Sequence, residues 1–336
     1  MWFFVVFGGL GRFKGFCFVV CVVVWGGCLR VLVTGGAGFI GSHSVGRLLG
    51  EGFEVVVLDD LRSGRLENIS WHVGEKGFRF VRGDIRDFSV VKGLVGDVDC
   101  VLHLAALVSV PESIRDPVLT SDVNVNGTLN LLKACVDFGV KRFVYASSCA
   151  VYGEAESLPI REDCPAKPMS PYGVSKLVAE NHVCAFYEKF GLETVCLRYF
   201  NVYGPRQAYS DYSGVITQFL NRLEKDLPLV VFGDGEQTRD FVYVRDVAEA
   251  NLLALKCGEA AIGEVFNVGT GVATSINQLA NALLEATGKT YLKIIHSEAR
   301  EGDIRHSVAD VSKAREKLGY SSKVSLREGL RELLQS

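Results

Sequence analysis

A short β-rich run, Arg30 to Thr34, leads straight into Gly35-Gly36-Ala37-Gly38-Phe39-Ile40-Gly41 and then into a helical pattern carrying Ser44, Val45, Leu48 and Leu49. Glycines at Gly35, Gly38 and Gly41, between a strand and a helix, narrow the fold more than any other feature. They allow a tight turn and a close approach of backbone to a pyrophosphate, whose charge then sits at the helix N-terminus. A second strand, Glu54 to Leu58, ends in Asp59-Asp60. An acid there binds both hydroxyls of a ribose and repels a 2′-phosphate, so the pattern predicts NAD rather than NADP, with Arg62 as a mild counter-signal. A glycine triplet alone would be no more than a tight turn, and the strand, helix and acid around it make the difference.

The alternation continues. Phe78–Val81 reads as a strand followed by Gly83-Asp84-Ile85, Cys100–Leu104 as a strand ending in Ala105-Ala106, and Val140–Ala146 as a strand delivering Ser147-Ser148. This predicts an α/β fold, a doubly wound parallel sheet of Rossmann type with a smaller C-terminal α/β substrate-binding domain. The 336 residues suit that division and bury a core without staples. With 36 basic and 39 acidic residues and no long block of like charge, no nucleic-acid surface is expected. The ten cysteines form no CxxC and the six histidines no HExxH, so reduced thiols in a cytoplasmic protein and no metal site are expected. Residues 1–28 differ from the rest, being apolar with Arg12 and Lys14 as their charges. The apolar run from Gly15 to Leu29 is shorter than the ~20 residues of a membrane helix. It reads as sequence upstream of a start near Leu29, with a membrane-associating leader or a signal peptide as the alternatives.

Ser170-Pro171-Tyr172-Gly173-Val174-Ser175-Lys176 forms the second motif. Ser170 suits an N-cap and Pro171 a first helical position, so Tyr172 and Lys176 fall on one helix face at i and i+4. A phenol ordinarily ionises at about 10. A neighbouring ammonium and a positive nicotinamide both favour phenolate, which makes Tyr172 a usable base. Lys176 is placed to hold the nicotinamide ribose, and Ser148 to hydrogen-bond the same substrate hydroxyl. The plain alternative is a surface helix with an unconnected Tyr and Lys.

TGGAGFIGSH, NVNGT (Asn124–Thr128), SSCAVYG (Ser147–Gly153), YGVSK, RYFNVYGPRQ (Arg198–Gln207), RDFVYVRD (Arg239–Asp246) and REGDIRHS (Arg300–Ser307) follow one another along the chain. With these motifs the chain resembles the extended short-chain dehydrogenases/reductases, in their nucleotide-sugar epimerase group, from about Leu29 to the C-terminus. The resemblance implies an NAD site of Gly35, Gly38, Phe39, Ile40, Gly41, Asp59, Leu104, Ala105, Ala106, Asn124, Tyr172, Lys176 and Phe200, with Asp84 and Ile85 at the adenine. It implies Tyr172 as the base and Ser148 as its partner. For a UDP-sugar it implies Asn201, Arg239 and Arg300 at the diphosphate, the backbone of Val230-Val231-Phe232 against uracil, and Asp303 and Ser307 in the substrate pocket. Two arginines suit a diphosphate on physical grounds too, since guanidinium binds phosphate oxygens in a bidentate way.

Within that group, 4,6-dehydratases carry an Asp-Glu pair just after the serine and decarboxylating relatives a Glu, where this chain has Cys149 and Ala150. The resemblance therefore implies C4 epimerisation of a UDP-hexose through a 4-keto sugar. Cys149 reads as small strand-end packing. Ser307 stands where a bulky tyrosine excludes N-acetylated sugars, so UDP-GlcNAc/UDP-GalNAc are expected to fit as well as UDP-Glc/UDP-Gal. A UDP-glucuronate 4-epimerase and a non-catalytic NAD-binding regulator are the alternatives. Amphipathic helices near 117–138 and 171–190 are expected to pair into a homodimer, by resemblance alone. The NAD-binding domain is expected over 29–200 plus 240–272, and the UDP-sugar-binding domain over 201–239 plus 273–336.

Overall fold

The computed structural model describes residues 29–208, 214–299 and 302–335. The apolar segment 1–28 and the expected diphosphate ligand Arg300 lie outside them. β1 (Arg30–Thr34), α1 (Phe39–Gly50), β2 (Glu54–Asp59), β3 (Phe78–Arg82), α2 (Phe88–Val95) and β4 (Cys100–His103) come first. Two short helices, α3 (Val110–Arg115) and α4 (Pro117–Ser121), lead through a π-helical turn, Asp122–Asn126, into α5 (Gly127–Phe138), β5 (Arg142–Ser148), α6 (Pro171–Phe190) and β6 (Glu193–Tyr199). The remainder holds β7 (Asn201–Tyr203), α7 (Val215–Glu224), β8 (Leu229–Phe232), β9 (Thr238–Arg239), β10 (Phe241–Tyr243), α8 (Val244–Lys256), β11 (Glu264–Val268), β12 (Thr274–Ser275), α9 (Ile276–Thr287), β13 (Ile294–Ser297), β14 (His306–Ser307), α10 (Ser312–Leu318) and α11 (Leu326–Gln335).

Among the described residues, seven strands make one parallel sheet in the order β11-β6-β5-β4-β1-β2-β3. The order reverses at β1 and β4. The glycine turn after β1 and Leu104–Ala106 after β4 therefore border one crevice at the carboxyl ends of the strands. Side-chain alternation along β1 feeds two cores. Val31 and Val33 pack with Val45 and Leu48 of α1 and with Val247 and Ala250 of α8. Leu32 faces the other side, with Leu131 and Leu132 of α5 and Ala179 and Val183 of α6. A third core, with Phe219, Val231, Leu279, Leu283 and Leu330, lies under small sheets that pair β8 with β13 and set β9 between β12 and β14.

Two expectations are adjusted. The strand delivering the serines runs Arg142–Ser148, not Val140–Ala146, because α5 ends on Gly139 in a left-handed conformation and the Val140 amide is still bonded to the Cys135 carbonyl. The helical stretch near 117–138 is broken at Asp122–Asn126. α6 is not one-sided: Ala179 and Val183 are buried against the sheet, while Val174, Val178, Tyr187 and Phe190 are exposed on it.

The glycine turn sets a clear stability contrast. A Cβ at Gly41 would lie 2.1 Å from the Gly35 carbonyl oxygen, whereas one at Gly50 would meet nothing within 4 Å. Gly41→Ala is expected to cost about 1–3 kcal/mol or more through the forced backbone shift. Gly50→Ala is expected to gain about 0.4–1 kcal/mol through the unfolded chain. Urea midpoints measure both, and equal midpoints for the two variants would contradict the packing of this turn.

Candidate active site

Gly35 has φ +69°, and a Cβ on it would sit 2.8 Å from the Ala105 amide nitrogen. Gly38 caps α1 without a side-chain acceptor, and the first turn, with Phe39 and Ile40, carries no acid. A bare glycine floor beneath an uncapped helix N-terminus has the shape and polarity a pyrophosphate requires. Asp59, buried at the end of β2, takes the Ala37 amide on Oδ2 and the Leu61 amide on Oδ1, each at 2.9 Å. Burial raises its pKa and the two amides draw it back down. These residues fit a dinucleotide, with Asp59 as the group that would hold its adenosine ribose.

Other expected cofactor residues are engaged within the protein. Asn124, on the π-helical turn, accepts the Leu107 amide at 2.8 Å and donates to the Leu107 carbonyl at 3.0 Å and to Ser175 Oγ at 2.9 Å. Both of its amide hydrogens are used within the protein, and its side chain braces the π-helical turn against Leu107 and α6. Asp84 is held by Arg86, whose Nη2 reaches Oδ2 at 2.6 Å, and this pairing draws the carboxyl below its ordinary range. The Ile85 side chain is buried over Gly127, where an added Cβ would strike it. The Phe200 ring packs against Tyr152 at 6.4 Å between centroids, in a small core with Val151 and Ile160.

β5 ends at Ser148, whose Oγ accepts the Ala150 amide at 3.2 Å. α6 starts behind Ser170, whose Oγ accepts the Gly173 amide at 3.1 Å, with Pro171 next. The Tyr172 amide donates to Ser113 Oγ at 3.1 Å, so the first turn is pinned from two sides. Tyr172 is half-buried, and its phenol lies near Ser148. Burial pushes that phenol up to about 12, while Ser148 draws it down and the Cys149 thiol adds a smaller upward push. Lys176 is buried, and its Nζ donates to the Ala146 carbonyl at 2.8 Å and lies 5.1 Å from the Tyr145 ring centroid. Burial pushes its ammonium down to about 7. The burial that raises the phenol also lowers the lysine, so in the cofactor-free protein both lean toward their neutral forms. Ser113 and Ser175 had no signal in the sequence, because each acts across separate elements, Ser113 on the Tyr172 amide and Ser175 on the Asn124 side chain.

Asn201 opens β7 with a buried amide oxygen that has no hydrogen-bond partner among the described residues. Arg239 Nη2 meets Asp303 Oδ1 at 2.5 Å, and its Nη1 donates to the Thr238 carbonyl at 2.9 Å. Ser307 pairs with Arg239 across β14 and β9 and is buried. Burial pushes the Cys149 thiol up to about 11, with Ser307 and then Arg239 drawing it down, so Cys149 lies in the region where the residues of both motifs meet. At the two ends of β8, the Leu229 amide donates to the Lys293 carbonyl just before β13 and the Gly233 amide, just past β8, donates to the Ser297 carbonyl. The amide and carbonyl of Val230 therefore face the opposite edge, and the Phe232 carbonyl accepts Gln237 Nε2 at 2.8 Å.

The profile of the family described as GDP-mannose 4,6 dehydratase matches residues 32–333. A putative UDP-glucose 4-epimerase of Methanocaldococcus jannaschii is 41% identical over 306 residues, covering 90% of this chain and 97% of its own length. The UDP-glucose 4-epimerase of Thermotoga maritima, solved with UDP-glucose, superposes with a TM-score of 0.86 at 41% identity, covering 91% of this chain and 98% of that one. The UDP-glucose 4-epimerase of Thermus thermophilus, solved with NAD, superposes with a TM-score of 0.82 at 42% identity and the same coverage. Likeness at this level spans nearly all of residues 32–333, and the chain belongs to the NAD-dependent epimerase/dehydratase family of extended short-chain dehydrogenases/reductases.

Proposed function

We propose that the chain is an NAD-dependent UDP-hexose 4-epimerase acting on UDP-Glc/UDP-Gal and on UDP-GlcNAc/UDP-GalNAc. The observation that carries this reading is the approach of Tyr172 to Ser148 beside Cys149 and Ser307, with no carboxylate in the two positions after Ser148. Losing water or CO₂ from the sugar would require an acid there. Oxidation and re-reduction at C4 require only a proton carrier at the hydroxyl. Bound NAD supplies a hydride acceptor and donor at C4 and a positive ring beside Tyr172. Tyr172 takes the C4 hydroxyl proton and later returns one, and Ser148 holds that hydroxyl in line. Lys176 binds the nicotinamide ribose, and Asp59 the adenosine ribose.

The division of labour follows the chain, with NAD held by 29–200 plus 240–272 and the UDP-sugar by 201–239 plus 273–336. The open edge of Val230 pairs with the uracil, and Asn201, Arg239 and Arg300 hold the diphosphate. The hexose turns over against Cys149 and Ser307, both small, which leaves room for an acetamido group at C2. UDP-glucuronate fits less well, because these two walls offer its carboxylate no cation. The exposed valines Val174 and Val178 of α6, beside Ile114 and Val118 of α3 and α4, form the face on which two copies join.

Three outcomes are expected. Offered UDP-Glc and UDP-GlcNAc separately, the protein converts both to their C4 epimers, as followed by NMR of the anomeric protons. Tyr172→Phe abolishes conversion, and Ser307→Tyr loses UDP-GlcNAc while keeping UDP-Glc. Conversion of neither sugar by NAD-loaded protein would reject the reading. Val178→Glu is expected to halve the mass seen by light scattering, and an unchanged mass would remove α6 from the interface. The depressed Lys176 pKa has a defined sign. Between pH of about 7 and its ordinary 10.5, the unfolded chain binds a proton that the folded one does not. The contribution of Lys176 to stability therefore rises with pH across that window in the cofactor-free protein. Lys176→Met is expected to flatten it in urea titrations at several pH values.

A further inference from the structure

Three contacts join one face of α6 to the last three residues of β5. Tyr172 lies near Ser148, Lys176 donates to the Ala146 carbonyl at 2.8 Å, and Glu180, one turn further along the same face, accepts Ser147 Oγ on Oε2 at 2.6 Å. The third contact does not touch the crevice. Glu180 is 2% exposed, and its carboxylate is clamped by Arg198 of β6, Nε to Oε2 at 3.0 Å and Nη2 to Oε1 at 2.5 Å. Arg198 in turn lies 4.7 Å over the Tyr152 ring and donates to the Glu162 carbonyl at 3.1 Å. The Tyr152 hydroxyl bonds Asn267 Oδ1 at 2.6 Å on β11, and the Asn267 amide returns to Glu162 Oε1 at 2.8 Å.

A buried ion pair is weak evidence for stability, because desolvating both charges offsets their attraction, so a role in specifying geometry is the better account. We propose that Glu180 is a positioning residue: clamped by Arg198, it fixes α6 against the end of β5 through Ser147 and so sets the Tyr172–Ser148 contact. Neither oxygen is left to slide, since Oε2 is shared between Ser147 and Arg198 and Oε1 is held by the same guanidinium. The residue one step from Ser147 is the one that must meet the phenol. A small shift of α6 along β5 would lengthen that contact while leaving the nucleotide's own contacts in place.

This rests on the reading of Tyr172 as the base. The experiment compares Ser147→Ala, Ser147→Thr and the double variant Glu180→Leu/Arg198→Leu with the wild-type NAD-loaded protein. Ser147→Ala is expected to lower kcat about tenfold with KM for the UDP-sugar unchanged, since misplacement at the reacting atoms costs rate and not binding. The group seen in the kcat pH profile moves to higher pH, because Ser148 no longer draws the phenol down. Ser147→Thr, which keeps the hydroxyl, restores both. The double variant replaces the whole pair by apolar groups, folds, and shows the same loss. Wild-type kcat and pH profile in Ser147→Ala, whatever its melting temperature, would overturn the proposal, and that variant decides the matter if the double variant does not fold. Wild-type protein that turns over neither sugar would count against the proposed activity alone. The brace is then judged by amide exchange over 171–176, which Ser147→Ala is expected to speed. Unchanged exchange there would overturn it as well.

Discussion

Gly41 approaches the Gly35 carbonyl so closely that one added carbon would sit 2.1 Å from it, and the crevice is organised around that contact. It seats α1 directly on the end of β1 and turns the bare helix N-terminus toward the strand ends. The same turn is held from outside through Ala37. Its amide is taken by Asp59, and its carbonyl accepts the Arg65 amide at 3.0 Å and Asn68 Nδ2 at 2.8 Å. The end of β2, the glycine turn and the following 65–68 segment are therefore one unit. A carboxylate that would contact a ribose is first of all a strut of the loop beneath the phosphates.

Burial sets the electrostatics of the crevice. His103 is buried between Thr34 Oγ1 at 2.7 Å and Thr128 Oγ1 at 2.8 Å, and desolvation pushes it down to about 3. Lys176, Tyr172 and Cys149 shift in the same sense, each toward its neutral form. The reaction centre thus holds little charge of its own. Charges survive burial only where partners replace water, as with Asp59 on its two amides and Glu180 on Arg198. A phenol kept neutral by its surroundings becomes a base only when positive charge is brought beside it, so on the proposed reading, loading with cofactor and readiness for proton transfer are one event.

What could be read from the sequence follows the range of the interactions. The glycine turn, the Ser170 cap and the i, i+4 pair Tyr172 and Lys176 are local, and their spacing carries them. Strand pairing followed from the βα alternation, although Gly139 moved the start of β5 by two residues. Asn124 and Asp84 show the limit. Their motifs point to a ligand, but the protein groups that hold their side chains, Leu107 and Ser175 for Asn124 and Arg86 for Asp84, had no such signal. The ladder of α6 lay partly open, since residues 172, 176 and 180 share a face, but nothing local says that Glu180 meets Ser147 or Arg198.

The substrate half keeps its charge in a different way. Arg239 is spoken for by Asp303, but Asp303 is 37% exposed, so the pair is screened and its net value is of the order of 0–1 kcal/mol. A diphosphate offers the same guanidinium more charge and a bidentate geometry, so exchanging one partner for the other costs little. That weakness is useful. Left without a partner, a guanidinium with 13% of its side chain exposed would bear a desolvation cost, and a fully buried carboxylate would be too costly to displace. A half-exposed aspartate avoids both extremes. It keeps Arg239 oriented within the fold, and on the proposed reading it would give way to the diphosphate of an arriving nucleotide.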